Sequence, residues 1–258
     1  MAWGTALVNL ALNRRLGKSH LQLTFSVYYV AAASSRFAAA PDNMSSMQAL
    51  ILTVIAAFTL GAAEPGFQPI FNGKSLDGWK YVGRGDSSGY SAENGTIVCQ
   101  KVHGNLFTEK EYSNFVLRFE FKFGEPGANN GIGIRAPYAG DAAYSGMEIQ
   151  ILDDTADVYK GKLQPWQVHG SIYNVVPAKS SEGILKRTDW NEEEITASGT
   201  RITVKLNGQV IVDADLASVT DLEVLKKHPG VSRTGGHIGL LGHDTRVEFP
   251  NLRIKELK

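Results

Sequence analysis

A lone cysteine, Cys99, among 258 residues rules out an intrachain disulfide and any metal cluster built on cysteine pairs. Cys99 closes the run Ile97-Val98-Cys99, where a thiol is expected to pack rather than to react. An excess of charge of either sign is missing too. The 26 basic and 26 acidic side chains cancel, so no long-range field draws the chain to nucleic acid or to an anionic membrane, and nucleic acid is excluded as a first partner. There is no His-Glu-x-x-His, no EF-hand loop and no Gly-rich phosphate loop after a strand, which disfavours the commonest metal-dependent and nucleotide chemistries. Long apolar runs are scarce. Ala49 to Leu60 is the one that stands out, and it is too short to span a bilayer comfortably, so no membrane span is expected in the mature chain. With the small residues Gly61-Ala62-Ala63 just before Glu64-Pro65, it reads as a signal-peptide core (49–60) and cleavage site. Residues 1–63 are therefore set apart as an N-terminal extension and signal peptide, with Met1, Met44 and Met47 all available as starts. The mature protein is expected to be exported, to the periplasm or the extracellular space.

What is present from Glu64 onward is glycine, 27 in the whole chain, punctuating short alternating runs. Phe115, Leu117, Phe119, Phe121 and Phe123 alternate with Val116, Arg118, Glu120 and Lys122, the pattern of a strand with one face in a core and one wet. Ile202, Val204 and Leu206 repeat it, Asn207-Gly208 supplies a two-residue hairpin turn, and Gln209 to Asp213 returns. Helical spacing is confined to Asp221–Lys227. Residues 64–258 are thus expected to form one all-β domain, two antiparallel sheets packed face to face about 10 Å apart.

Within this frame the run Gly146 to Asp154 stands out. Period two sends Met147, Ile149 and Ile151 to the core and Glu148 and Gln150 together to the opposite face. Upstream, Asn129 to Arg135 puts Ile132 and Ile134 in the core and Gly131, Gly133 and Arg135 on the Glu148 face, provided that the strands pair. Glycines beside an arginine open room for a cleft floor, and a guanidinium holds a carboxylate or sugar oxygen through two parallel hydrogen bonds. The bland alternative is a cross-strand ion pair on a solvated face. Histidines 169, 237 and 243 sit in alternating or turn segments, each able to serve as acid, base or ligand. Asp153-Asp154-x-x-Asp157 is rich enough in oxygen to hold a hard cation, although such loops are usually only solvated. Trp79, Tyr138, Tyr144, Trp166, Tyr173 and Trp190 offer rings for stacking on sugar faces.

In their order, these motifs resemble the 3-keto-disaccharide hydrolase domain. Phe71-Asn72-Gly73-Lys74-Ser75-Leu76-Asp77-Gly78-Trp79 is similar to its opening, Asn129 to Arg135 to its Asn-Ser-Gly…Arg segment, Gly146 to Asp154 to its Glu-x-Gln-x-x-Asp strand, and Phe249-Pro250-Asn251-Leu252-Arg253-Ile254 to its closing strand. Trp190-Asn191 followed by Asn207-Gly208 fits as well. Two positions depart: Asn130 stands for the usual Ser, and Leu241-Gly242-His243 for a Gln-x-His arrangement. The resemblance spans residues 67–258. It implies a jelly-roll sandwich of the concanavalin A-like lectin/glucanase type, and a carbohydrate substrate: a glycoside oxidised at carbon 3, cleaved by elimination across carbons 1 and 2 followed by hydration. It implies a catalytic set of Glu148, Arg135, His169 and His243, with Gln150, Asp153, Asn130, Tyr173 and Trp166 binding substrate. Glu148 or a histidine is expected to be the acid/base and Arg135 to face the enolate oxygen; a divalent cation is compatible with that role and not required by it. Two other readings compete, a non-catalytic lectin-like module and a conventional glucanase. The glucanase needs two facing carboxyls, which the odd spacing of Glu148 and Asp153 opposes.

Overall fold

The computed structural model describes residues 64–83, 89–100 and 104–258, so the apolar run and cleavage site at 49–63 lie outside the described residues. The strands in chain order begin with β1 (Gln68–Pro69), β2 (Trp79–Gly83), β3 (Tyr90–Glu93), β4 (Thr96–Cys99) and β5 (Gly104–Tyr112). Then come β6 (Phe115–Phe123), β7 (Asn129–Ala136), β8 (Met147–Leu152), β9 (Asn191–Ser198) and β10 (Arg201–Leu206). The last are β11 (Gln209–Asp215), β12 (Gly236–Gly242), β13 (Val247–Pro250) and β14 (Arg253–Glu256). Two short helices, α1 (Ala142–Ser145) and α2 (Leu222–Lys227), interrupt them, each N-capped by an aspartate, Asp141 and Asp221.

Every pairing between these strands is antiparallel, and they divide into two sheets. The larger runs β11-β10-β9-β6-β13-β4-β3, with β14 joining β6 to β1. The smaller runs β2-β5-β12-β7-β8. This is the two-sheet antiparallel sandwich that the alternation predicts. On β6 the five apolar residues from Phe115 to Phe123 are buried and the four between them only half-buried. They meet Ile132, Ile134, Met147, Ile149 and Ile151 of the smaller sheet in one continuous core. At about 25 cal/mol per Å² of buried apolar surface, this interface is the main source of stability. Cys99 lies in the same core, and burial pushes its thiol up from the usual range, in keeping with a packed group.

The face of the smaller sheet turned away from this core carries the polar side chains of interest, and β8 is its edge strand. That edge is covered rather than open. Residues 170–173 run beside β8, with Gly170 N donating to the Gln150 carbonyl, Gln150 N to the Ser171 carbonyl and Tyr173 N to the Glu148 carbonyl, at 2.8–3.0 Å. This extra pairing places Tyr173 beside Glu148, and it shields an edge that would otherwise template aggregation.

Candidate active site

The concave face of the smaller sheet opens as a cleft of about 1450 Å³, with Glu148, Gln150, Asn129, His243, Tyr144 and Tyr173 among its walls. Every residue of β8 is buried, and Glu148 and Gln150 are only 3% and 5% exposed although they face away from the core. The register explains how they are accommodated. Glu148 lies opposite Gly133 and Gln150 opposite Gly131, and β7 in turn sets Gly133 against Gly239 of β12. With no side chain on Gly131, the Glu148 carboxylate folds down over β7. A Cβ at Gly131 would come within 2.1 Å of Glu148 Oε1. The carboxylate thereby reaches across one strand towards β12, where His243 follows the strand in a turn with Asp244 at φ 59°.

His243 Nε2 stands 3.5 Å from Glu148 Oε1, and its side chain is 46% exposed. That contact is long for a hydrogen bond. Even so, the carboxylate pushes the imidazole upward as a hydrogen-bonding partner and as a charge, against an opposing effect of burial, and Asp141 and Asp244 add to it. The histidine therefore carries a proton at higher pH than a free imidazole does. Glu148 Oε1 makes no regular hydrogen bond, and neither does Gln150 Oε1. Gln150 Nε2 donates to Asn129 Oδ1 at 2.9 Å, which fixes the amide with its oxygen as the unsatisfied atom. The floor thus presents two buried acceptors beside an imidazole of raised proton affinity, an arrangement suited to abstracting a proton and holding the charge that develops. Asn129 went unremarked in the sequence, yet it lies on the same face as Gly131 and Gly133 by simple alternation.

Of the residues expected here, Glu148, Gln150, Tyr173 and His243 converge on the cleft, joined by Tyr144 from the aromatic set, while Arg135, His169, Asp153, Asn130 and Trp166 do not. Arg135 is the main correction. Between Gly133 and Ala136, β7 has one residue more than the β12 segment from Gly239 to His237, and Arg135 takes φ 50° at this bulge. The alternation that would have aimed it beside Glu148 is broken. Its guanidinium instead donates to the Ser113 carbonyl from Nε (3.2 Å) and Nη2 (3.1 Å), to the Arg233 carbonyl (3.1 Å) and to Asn114 Oδ1 (3.4 Å). It is 2% exposed and acts as a brace between loops.

His169 is corrected on similar grounds. Gly170 takes φ 77°, which turns the chain so that the imidazole enters the core, stacked on Phe121 at 5.3 Å. Nδ1 accepts from Leu152 N at 3.1 Å, so Nε2 bears the hydrogen and donates to Glu193 Oε2 at 3.0 Å. His169 and Glu193 thus form a fully buried polar tie between β8 and β9.

Asp153 follows its odd spacing off the Glu148 face. It accepts from Gly127 N and Thr155 Oγ1 at 2.9 Å and pairs with Arg187 Nε at 3.1 Å, so it neither binds in the cleft nor faces Glu148 across a bond to be cleaved. Asn130, on the core parity of Ile132, donates to Cys99 Sγ at 3.3 Å and accepts from Gly131 N. Trp166 is 39% exposed and outside the cleft walls, although its neighbour Gln167 is among them. Asp154 of the acidic loop accepts from His169 N and Ser181 Oγ. Among the described residues no three His, Cys, Asp or Glu side chains converge to hold a metal ion, and no helix is long and apolar enough to cross a membrane.

Residues 66–255 match the family model of the 3-keto-alpha-glucoside-1,2-lyase-like domain. Two crystal structures of candidate glycosyl hydrolases from Parabacteroides distasonis superpose with a TM-score of 0.64 each. One is 27% identical, over 74% of this chain and 99% of its own; the other is 26% identical, over 75% and 94%. No curated protein sequence matches the chain.

Proposed function

Since the chain belongs to the 3-keto-alpha-glucoside-1,2-lyase-like domain family, we propose that it cleaves glycosides already oxidised to a ketone at carbon 3, by elimination across carbons 1 and 2 and then hydration. The observation that carries this reading is the pairing of Glu148 and His243 on the cleft floor, a buried carboxylate with an unsatisfied oxygen beside an imidazole whose hold on its proton that carboxylate strengthens. A ketone at carbon 3 acidifies the hydrogen on carbon 2. Glu148 removes that proton, and the electron pair moves into an enolate whose oxygen takes a hydrogen bond from the His243 imidazolium. Collapse of the enolate expels the oxygen on carbon 1. Water then adds to carbon 1 as carbon 2 regains a proton, giving the free 3-keto sugar and an alcohol. In this scheme His243 takes the place beside the enolate oxygen that the sequence suggested for Arg135. Gln150 Oε1 accepts a sugar hydroxyl. Export of the mature chain is part of the same proposal.

The test is turnover of 3-keto-glucosides and 3-keto-disaccharides by the purified protein in D₂O, with and without a chelator. Deuterium is expected at carbon 2 of the product, and a loss of about 10²–10⁴-fold in rate for Glu148→Gln. Cleavage of unoxidised glycosides with no exchange at carbon 2 would sink the elimination scheme. Binding without turnover, unchanged in kind by Glu148→Gln, would favour a lectin-like module. Loss of turnover with chelator would move the role at the enolate oxygen from His243 to a cation.

A further inference from the structure

Expulsion of a sugar or alkyl oxygen from carbon 1 leaves a strongly basic alkoxide unless a proton reaches it, and a donor separate from the base leaves Glu148 protonated for the return step at carbon 2. His243 is engaged with Glu148 on the β12 side of the cleft. On the opposite, β8 side the cleft is walled by Asp141, Tyr144 and Tyr173. Asp141 Oδ1 accepts from Ala143 N at 3.0 Å as the cap of α1, so it is already committed as an acceptor.

Tyr144 differs in what stands behind it. Its ring is stacked on His228 at 4.6 Å with 21° between the planes, and it meets Tyr173 edge-on at 6.5 Å. His228 is 1% exposed and fixed at both nitrogens, Nδ1 3.3 Å from the Ala143 carbonyl and Nε2 3.0 Å from Asn174 Nδ2. Those partners require hydrogen on Nδ1 and none on Nε2, so the ring is neutral, and burial lowers its basicity further. A buried histidine so held has no chemical task left and acts as a rigid backing for the phenol. Tyr144 itself is pushed up by partial burial, then by the charges of Tyr173, Asp141 and Glu148 and a hydrogen-bonding interaction with Tyr173, so it keeps its proton until a stronger base appears.

We propose that Tyr144 is the catalytic acid that protonates the departing glycosidic oxygen, with Tyr173 and His228 as its positioning residues; this rests on the elimination reading above. As the carbon 1–oxygen bond breaks, its electron pair goes to the leaving oxygen and the Tyr144 proton follows. The Tyr173 hydroxyl then donates to the phenolate. In hydration the phenolate takes a proton from water, hydroxide adds to carbon 1, and Glu148, its acidic proton by then exchanged with solvent, protonates carbon 2. Both residues end as they began.

The experiment is a series of 3-keto-glucosides whose leaving groups run from a sugar alcohol through methanol and phenol to nitrophenol, with kcat/KM and carbon 2 exchange measured on each. Tyr144→Phe keeps the ring on His228. It should lose about 10²–10⁴-fold on sugar and methyl leaving groups, fall less than about fivefold on nitrophenol, which departs without a proton, and retain exchange at carbon 2. Equal loss across the series, or no loss, overturns the proposal. His228→Asn and Tyr173→Phe should show the same dependence in weaker form, and a uniform loss in both would make them merely structural. If Tyr144→Phe fails to fold, the unmodified protein still decides: shallow dependence of rate on leaving-group acidity supports a proton donor, and steep dependence refutes one. Absence of carbon 2 exchange in the unmodified protein would instead refute the elimination reading itself.

Discussion

Replacing Gly131 with alanine should disable the site while leaving the fold standing. Gly131 is not among the positive-φ glycines, so its backbone suits alanine. The obstacle is the side chain lying over it. A Cβ there would sit 2.1 Å from Glu148 Oε1 and 2.7 Å from both Cδ and Cγ, so the carboxylate must retreat by about 1.3 Å to reach the 3.4 Å of an ordinary contact. Misplacement of a catalytic group by about 1 Å costs on the order of 10²-fold in rate, or about 2.7 kcal/mol of transition-state stabilisation. The added methyl should lower stability by about 1–3 kcal/mol. Gly133→Ala is the matched control, since the one tight contact of its Cβ would be the end of a flexible Leu241 side chain, at 3.2 Å, with the Gly239 backbone at an ordinary 3.6 Å. The assay is kcat/KM on a 3-keto-glucoside together with the melting temperature of each variant. Activity of Gly131→Ala within threefold of the unmodified protein, or an equal loss in Gly133→Ala, would refute the reasoning.

The remaining predictions concern titration and bracing. The raised proton affinity of His243 contributes stability that is fully present below its ordinary value of 6.5 and is lost as pH rises through the folded-state value. An NMR titration should therefore place His243 above 6.5 and find it lowered in Glu148→Gln, and an unmoved titration would contradict the pairing. Burial raises Glu193 above 4.5, so the folded state holds that proton more tightly and stability falls as pH climbs above 4.5. Glu193→Gln should then gain on the order of 1 kcal/mol at pH 8, roughly 2–4 °C in melting temperature, and nothing at pH 4; equal shifts at both pH values would count against it. Arg135→Ala should cost about 3–5 kcal/mol, since it empties a buried site and strands the carbonyls of Ser113 and Arg233. The folded fraction should turn over within about threefold of the unmodified rate, and a hundredfold fall in kcat at unchanged melting temperature would return Arg135 to catalysis.

Alternation carried the sequence a long way towards this structure, and its failures have specific causes. It was sound wherever the strands are regular. On β6 and β8 every residue lies on the side its parity predicts, and the turn at Asn207-Gly208 falls between β10 and β11 as read. Asp153 and Asn130 also obey it, and the motif resemblance that placed them in the cleft ran against their parity. It failed where one residue breaks the period: the bulge at Arg135 redirects a side chain that parity had aimed at the cleft, and the turn at Gly170 sends inward a histidine that the resemblance had placed there. Nothing in the local sequence marks either break. A glycine after a histidine is common, and a bulge depends on partner strands more than 100 residues away. The pairing of Tyr144 with His228 was illegible for a related reason, since their stack joins α1 to a residue 84 positions downstream.

Four buried side-chain atoms among the described residues have no hydrogen-bond partner: Glu148 Oε1, Gln150 Oε1, Glu193 Oε1 and His237 Nδ1. Each such atom costs about 1–3 kcal/mol, so a fold retains them only where something offsets the cost. Glu193 offsets part of its own by holding a proton, the direction in which burial pushes it. Glu148 and Gln150 stand differently. They are two residues apart on one face of one strand, and both wall the cleft. Filling that cleft with a molecule rich in hydroxyl groups would satisfy both acceptors at once, whereas an apolar ligand would leave both unpaired. The same two atoms that weaken the empty fold therefore favour a polyhydroxylated ligand over an apolar one, and Gly131 is what lets one of them lie where a ring hydrogen can reach it.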